Sequence, residues 1–182
     1  MERRVFQNLL LAGCACVSVP SLASTRSSIY GLGEEFFRLF ESGQFGGATT
    51  LFHYPEGYSK HERETDAQAI VDFLATLSAT AVKLMHRQLK TLDGPFITVG
   101  VGAGDLQYWS SHHQFDNGMR GDYVADTPGG ALGFSLNWVS VDRGWKLRSV
   151  ICNVPTARPD AKEFAAKLMK AFPSSSGLPA AR

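Results

Sequence analysis

The chain has 182 residues, 44% of them hydrophobic and 19% charged, with 18 glycines and 8 prolines. That balance fits one soluble globular domain with tails and excludes wholesale disorder, a collagen repeat and, with only 3 cysteines, a disulfide framework. Eighteen basic against 17 acidic residues leave a formal charge of +1, too little positive field to hold a polyanion, so nucleic acid is not an expected partner.

Residues 1–23 have the layout of a secretory signal: a basic start at Arg3 and Arg4, an apolar stretch from Val5 to Val19, then Pro20-Ser21-Leu22-Ala23. The small side chains of Ser21 and Ala23 suit the shallow subsites read by signal peptidase, and cleavage is expected between Ala23 and Ser24. A membrane anchor wants about 18 or more apolar residues; this run is shorter and carries Gln7 and Asn8. No later apolar run escapes charge, Gly or Pro for long enough to span, so the mature chain is expected to lack a transmembrane span. Leu11-Ala12-Gly13-Cys14 resembles a bacterial lipobox, which makes lipidation of Cys14 the alternative, although Ala15, Cys16, Val17 and Val19 stay apolar where a polar tether is usual. Either route implies an exported protein, periplasmic or secreted, or else lipid-anchored in the envelope. Cleavage after Ala23 removes two arginines and one glutamate and leaves no net charge. It also leaves Cys152 alone in the apolar run Val150-Ile151-Cys152, where a buried small hydrophobe is expected rather than a reactive thiol.

No internal repeat or composition shift divides the rest, so residues 24–172 are expected to form a single domain, followed by a disordered tail at 173–182 rich in Ser, Gly, Pro and Ala. Tyr30, Phe36, Phe37 and Phe40 recur at helical spacing around Glu34, Glu35 and Glu41, and Ser42-Gly43 supplies a stop. A shorter helical piece, Ala48 to Phe52, ends near Pro55. Thr65-Asp66 offers an N-cap for a helix over Ala67 to Leu77, with Ile70, Phe73, Leu74 and Leu77 on one face. Strand patterns begin at Val82 to His86, and an Asp93-Gly94 turn leads to Phe96 to Val101. The glycine string Gly100 to Gly104 lacks the lysine of a phosphate loop, and close backbone approach is the expected reason for it. Leu106 to Phe115 reads as a strand before an Asp116-Asn117-Gly118 turn, and Met119 to Gly130 reads as a loose connection. Leu132 to Val141 and Trp145 to Val154 flank Asp142-Arg143-Gly144 as a hairpin, and Asp160 to Ala171 carries Phe164, Leu168 and Phe172 at helical spacing.

Helices first and antiparallel strands after make an α+β domain, with helices laid on one face of a curved sheet and an extra C-terminal helix. The broken second helix ending in Leu51-Phe52-His53-Tyr54-Pro55, the Tyr108 to Gly118 segment and the closing Trp138 to Val150 ribbon with its Gly144-Trp145-Lys146-Leu147 resemble the nuclear transport factor 2-like superfamily. The resemblance implies a cone, a bent sheet wrapped on helices around an open mouth, in a group that includes enzymes, small-molecule binders and association modules. Fold therefore leaves activity open.

No catalytic or metal motif stands out, and no cofactor or metal is expected. The candidate pocket residues are His53 and Tyr54 at the mouth, His86 on its strand, Tyr108 and His112 on one face of the Leu106 to Phe115 strand, and Trp138 on the closing ribbon. His112 and His113 point to opposite faces of a strand and cannot share a metal. His61 falls in a polar connection. Asp122, Tyr123 and Asp126 read as loop residues, and Trp145 is expected against the first helix. The leading expectation is an exported domain that binds a small ligand or a protein through its cavity or sheet face. The alternatives are an envelope hydrolase or isomerase using a pocket histidine with Asp or Tyr, and a homodimer through the outer sheet face.

Overall fold

The computed structural model describes residues 22–79, 87–88, 92–104, 118–141 and 144–171. The apolar leader with Cys14, the strand expected at 82–86 with His86, the stretch holding Tyr108, Trp109, His112 and His113, and the tail at 173–182 lie outside the described residues. The described elements run α1 (Leu22–Glu41), α2 (Phe45–Ala48), a 3-10 turn (Thr49–Leu51), α3 (Lys60–Ala79), β1 (Arg87–Gln88), β2 (Phe96–Gly102), β3 (Gly118–Ala125), β4 (Leu132–Val141), β5 (Gly144–Pro155) and α4 (Ala161–Lys170). They form an α+β arrangement in which an antiparallel sheet, ordered β1-β3-β4-β5-β2, carries the helices.

The apolar spacing of α1 buries Ile29, Phe36, Phe37 and Phe40, while Tyr30 stays exposed. The expected stop at Ser42-Gly43 is a Schellman ending: the Gln44 N–H reaches the Leu39 carbonyl at 2.9 Å and the Gly43 N–H reaches Phe40 at 3.1 Å, with Gly43 at φ +70°. Phe37 meets Tyr123 and Phe134 edge to face at 5.0 and 5.8 Å, which binds α1 to β3 and β4. Gly33 makes that approach possible. A Cβ there would clash with Tyr123 Oη and lie 3.1 Å from its Cζ and 3.7 Å from Leu136 Cδ1.

The third helix corrects the sequence reading. It begins at Lys60, not after Asp66, because Ser59 and Glu62 form a reciprocal capping box. The Ser59 N–H donates to Glu62 Oε2 at 2.7 Å and the Glu62 N–H donates to Ser59 Oγ at 3.2 Å. The cap lies two polar turns ahead of the apolar face, whose Ile70, Phe73, Leu74 and Leu77 are buried as expected. Asp66 accepts the Gly104 N–H at 2.9 Å and so ties α3 to the end of β2. The expected helical piece at Ala48 to Phe52 is divided between α2 and the 3-10 turn, and Phe52 leaves it in extended geometry.

In the sheet, β2 pairs with β5 along its whole length. A Cβ at Gly102 would stand 2.6 Å from the Arg148 carbonyl and one at Gly100 2.9 Å from that of Val150, so close backbone approach accounts for these glycines. Met119 to Gly130 holds the second correction: residues 118–125 are a full strand, paired with β4 from Gly118↔Val139 to Ala125↔Leu132. The alternation was hidden because two of its four inward positions are Gly121 and Ala125, too small to register as apolar. Thr127 to Gly130 then turns the chain into β4, with Gly130 at φ +112°. The final hairpin forms as expected, except that the register slips between Asn137 and Trp138, leaving Arg148 as the extra residue of a bulge on β5.

Every second sheet residue, among them Val99, Tyr123, Phe134, Leu136, Trp138, Val150 and Cys152, enters one core with the helices. The last helix belongs to it rather than extending it, since Phe164, Ala165 and Leu168 are buried there. Arg158, whose side chain is only 6% exposed, pairs with Asp160, lies 4.7 Å over the Phe164 ring and donates to Thr127 Oγ1 at 3.2 Å. It thereby joins α4 to the β3–β4 turn.

Two glycine substitutions in α1 separate helix propensity from packing. Gly31→Ala, where nothing lies within 4 Å of a new Cβ, is expected to raise unfolding free energy by about 0.5–1 kcal/mol. Gly33→Ala gains the same propensity but forces the Tyr123 ring to move. With overpacking costing roughly 1–3 kcal/mol, it is expected to be net destabilising in urea denaturation. Equal stabilisation by both substitutions would refute the seam between α1 and β3.

Candidate functional site

The face of the sheet turned from the helices carries a polar belt across four strands. Thr98 Oγ1 of β2 donates to Asn153 Oδ1 of β5 at 3.1 Å, and Asn153 Nδ2 reaches Ser135 Oγ of β4 at 3.4 Å. Ser135 Oγ in turn donates to Asp122 Oδ1 of β3 at 2.6 Å. Arg120 closes the chain, giving Nε to Asp122 Oδ1 at 2.6 Å and Nη2 to Ser135 Oγ at 2.9 Å. Ser135 and Asn153 are buried, 1% and 6% exposed. Each is paired, which is the condition for burying such groups without a net penalty.

Beside the belt, where the register slips, a hollow of about 170 Å³ opens. Its walls are Arg120, Asn137 and Arg148 together with Met119, Trp138 and Val139. The bulge has a geometric consequence. It leaves Arg148 between the paired residues Leu147 and Ser149, next to Asn137, whose Nδ2 donates to Ser149 Oγ at 2.9 Å. Burial pulls the Arg148 guanidinium below its ordinary pKa. The donors here are two five-donor guanidiniums and a carboxamide.

Of the expected pocket residues, Trp138 contributes to the wall of this hollow, His86, Tyr108 and His112 lie outside the described residues, and His53 and Tyr54 fall elsewhere. His53 sits where the 3-10 turn meets β5: its N–H donates to the Leu147 carbonyl at 2.9 Å, next to the bridge between Phe52 and Leu147, and Lys146 Nζ holds the Thr50 carbonyl at 2.9 Å. Tyr54 donates its hydroxyl to the Thr49 carbonyl at 3.3 Å, closing the same turn. Both are part-covered residues of a structural junction. Trp138 is 1% exposed and belongs to the core; its indole Nε1 has no hydrogen-bond partner among the described residues. Phe36, Phe37, Phe73 and Phe134 are buried in the same core. Trp145 packs half-buried at the margin of that core. His61 lies exposed on α3.

Asp122 and Tyr123, read as loop residues, are strand residues on opposite faces of β3. Arg120, Ser135, Asn137, Arg148 and Asn153 were not singled out from sequence. For Arg120, Ser135, Asn137 and Asn153 the signal was present as polar side chains at alternate strand positions; Arg148, the extra residue of the bulge, falls outside that alternation. Cys152 is buried, and burial pushes its thiol up to about 12, so it stays protonated as the small hydrophobe expected. Among the described residues no group of three His, Cys, Asp or Glu could hold a metal, and no helix is long and apolar enough to cross a membrane. Ala23 and Ser24, the expected cleavage pair, lie in the first turn of α1.

Burial holds the His53 imidazole below its ordinary pKa; Glu56 opposes the shift and Lys146 reinforces it. The unfolded chain therefore binds the proton more readily, and stability is lost as pH falls through the ordinary histidine range near about 6.5. A melting-temperature series from pH 7.5 to 5.5 is expected to slope downward on acidification, and less steeply for His53→Gln. Parallel slopes would show that His53 is not a source of the loss.

No family model, no curated protein and no solved structure matches this chain.

Proposed function

We propose that this chain is an exported, non-enzymatic binding domain, cone-shaped in the manner of the nuclear transport factor 2-like superfamily, whose ligand site is the hollow at the β4–β5 bulge. The observation that carries the reading is the contrast between the filled core and the bulge. On the helix side, large side chains including Trp138, Phe134 and Phe73 occupy the volume in which a cone would hold its ligand. Where the register slips, Arg120, Asn137 and Arg148 stand with Met119 and Trp138 around open space. Fixed donors on a rigid strand frame suit recognition. Catalysis by a pocket histidine draws no support from His53, whose setting is a backbone junction.

Export rests on the basic, apolar and small-residue order of residues 1–23. The mass of the N-terminal peptide from native cells is expected to begin at Ser24. A lipidated Cys14 would replace a free exported form by an envelope-anchored one, and an intact Met1 terminus would remove export altogether.

For the site, two-dimensional NMR of the labelled chain against a fragment library is expected to move the amide signals of Arg120, Asn137 and Arg148 together. A library in which no member moves that group, while the spectrum stays that of a folded protein, would defeat the binding reading.

A further inference from the structure

We propose that the free edge of β2 pairs with the β2 edge of a second copy of this chain, antiparallel and about a two-fold axis through Val99, so that two sheets join into one. β2 stands at the end of the strand order and is hydrogen-bonded to β5 on one side only. Among the described residues, nothing bonds to the backbone of 96–102 on its other side. Such a row of unpaired N–H and C=O groups is a template for another strand, and folded chains normally guard it with charge, proline or shortness. The opposite edge has that guard: β1 is two residues long, and β3 beside it carries Arg120 and Asp122. The seven residues of β2, Phe96-Ile97-Thr98-Val99-Gly100-Val101-Gly102, hold no charge and no proline.

The sequence of the strand fits a second copy of itself. Pairing centred on Val99 sets Ile97 opposite Val101 and Val99 opposite its own counterpart on the helix side. On the other side it sets Phe96 opposite Gly102 and Thr98 opposite Gly100, since directly opposed residues share a face. Phe96 is 41% exposed. The partner's Gly102 has no side chain, so the ring covers bare glycine backbone across the new pair. No like charges meet at the axis. Of the three exposed large apolar side chains among the described residues, two, Phe96 and Met169, lie on β2 and on α4, the helix packed against it.

A two-fold axis normal to the sheet keeps the helices of both copies on one side and runs the two α4 helices antiparallel. Asp160, Lys162 and Glu163 at the start of one helix are thereby turned toward Lys167 and Lys170 at the end of the other, and opposed helix dipoles favour the same arrangement. The assembly is closed, because it uses the β2 edge of both copies and leaves only the guarded edges outside. It is a different surface from the outer sheet face. An unrelated extended peptide satisfies the same backbone groups but brings no Phe96 to Gly102.

Sedimentation velocity of the full exported chain over a wide concentration range, with amide hydrogen exchange followed at residues 96–102, tests this. The chain is expected to pass from monomer to dimer as concentration rises, and exchange at 96–102 is expected to slow in step. Phe96→Lys is expected to weaken dimerisation about tenfold, since the lost cross-strand contact occurs twice about the axis. Tyr30→Lys removes a similarly exposed ring from α1 and is expected to leave dimerisation unchanged. Both positions are exposed, so both variants are expected to keep the wild-type melting curve, and exchange in the unaltered chain tests the edge without either of them. A chain that stays monomeric at every concentration overturns the proposal, including one whose 96–102 amides slow only when an extended peptide is added. A dimer whose 96–102 amides exchange at the monomer rate overturns the edge as the interface. Unchanged dimerisation in a folded Phe96→Lys, or equal weakening by Phe96→Lys and Tyr30→Lys, overturns the pairing centred on Val99.

Discussion

Phe37 on the first helix stands edge-on to Tyr123 and Phe134, two strands' worth of aromatic surface, and the sheet's orientation depends on that contact. Burying one such ring contributes roughly 2–3 kcal/mol, and each aromatic pairing adds about 0.5–1.5 kcal/mol, against a whole-domain stability of only about 5–15 kcal/mol. The contact needs α1 to come within side-chain distance of β3. Gly33, one helical turn before Phe37, is what lets it do so. Because successive strand residues face opposite ways, fixing Tyr123 and Phe134 inward also fixes Asp122 and Ser135 outward. The polar belt is thus a consequence of the aromatic seam on the other side of the same strands.

The bulge has a comparable reach. One extra residue on β5 is accommodated between Asn137 and Trp138, and beyond it the pairing continues to Val141↔Gly144. Trp138 stays in the core opposite Leu147 while Arg148 is displaced to stand by Asn137. Bulges bend the strand that carries them and re-aim side chains, and here the re-aimed group is a cation next to a carboxamide. A rigid sheet is a suitable frame for such a set, since strand-borne groups lose little freedom when a ligand arrives.

The perimeter is tied by polar contacts rather than by more core. Asp66 to Gly104, Lys146 to Thr50 and Arg158 to Asp160, Phe164 and Thr127 each join elements distant in sequence. Arg158 is the most buried of the cations in these ties. Its ring contact and its carboxylate partner compensate for the water it gives up, and it makes the C-terminal helix part of the domain rather than an appendage.

Local signals alone determined much of this protein. Periodic phenylalanines dictated α1, Ser42-Gly43 its ending, the Asp142-Arg143-Gly144 loop the last hairpin, and Phe164 with Leu168 the final helix, because each depends on interactions within a few residues. Two local signals were legible but overlooked: the Ser59-Lys60-His61-Glu62 capping box, two polar turns ahead of the apolar face it serves, and the alternate polar residues of β3, β4 and β5. Only tertiary structure decided the rest. Gly121 and Ala125 show no apolar alternation by themselves, and become a strand because β4 supplies their hydrogen-bond partners. Trp138 could have been exposed on the ribbon or buried in the core, and the packing of helices on the sheet buries it. Arg120, Asn137 and Arg148 are brought to one hollow by a register slip between strands, and a register is a relation between two segments that neither one states.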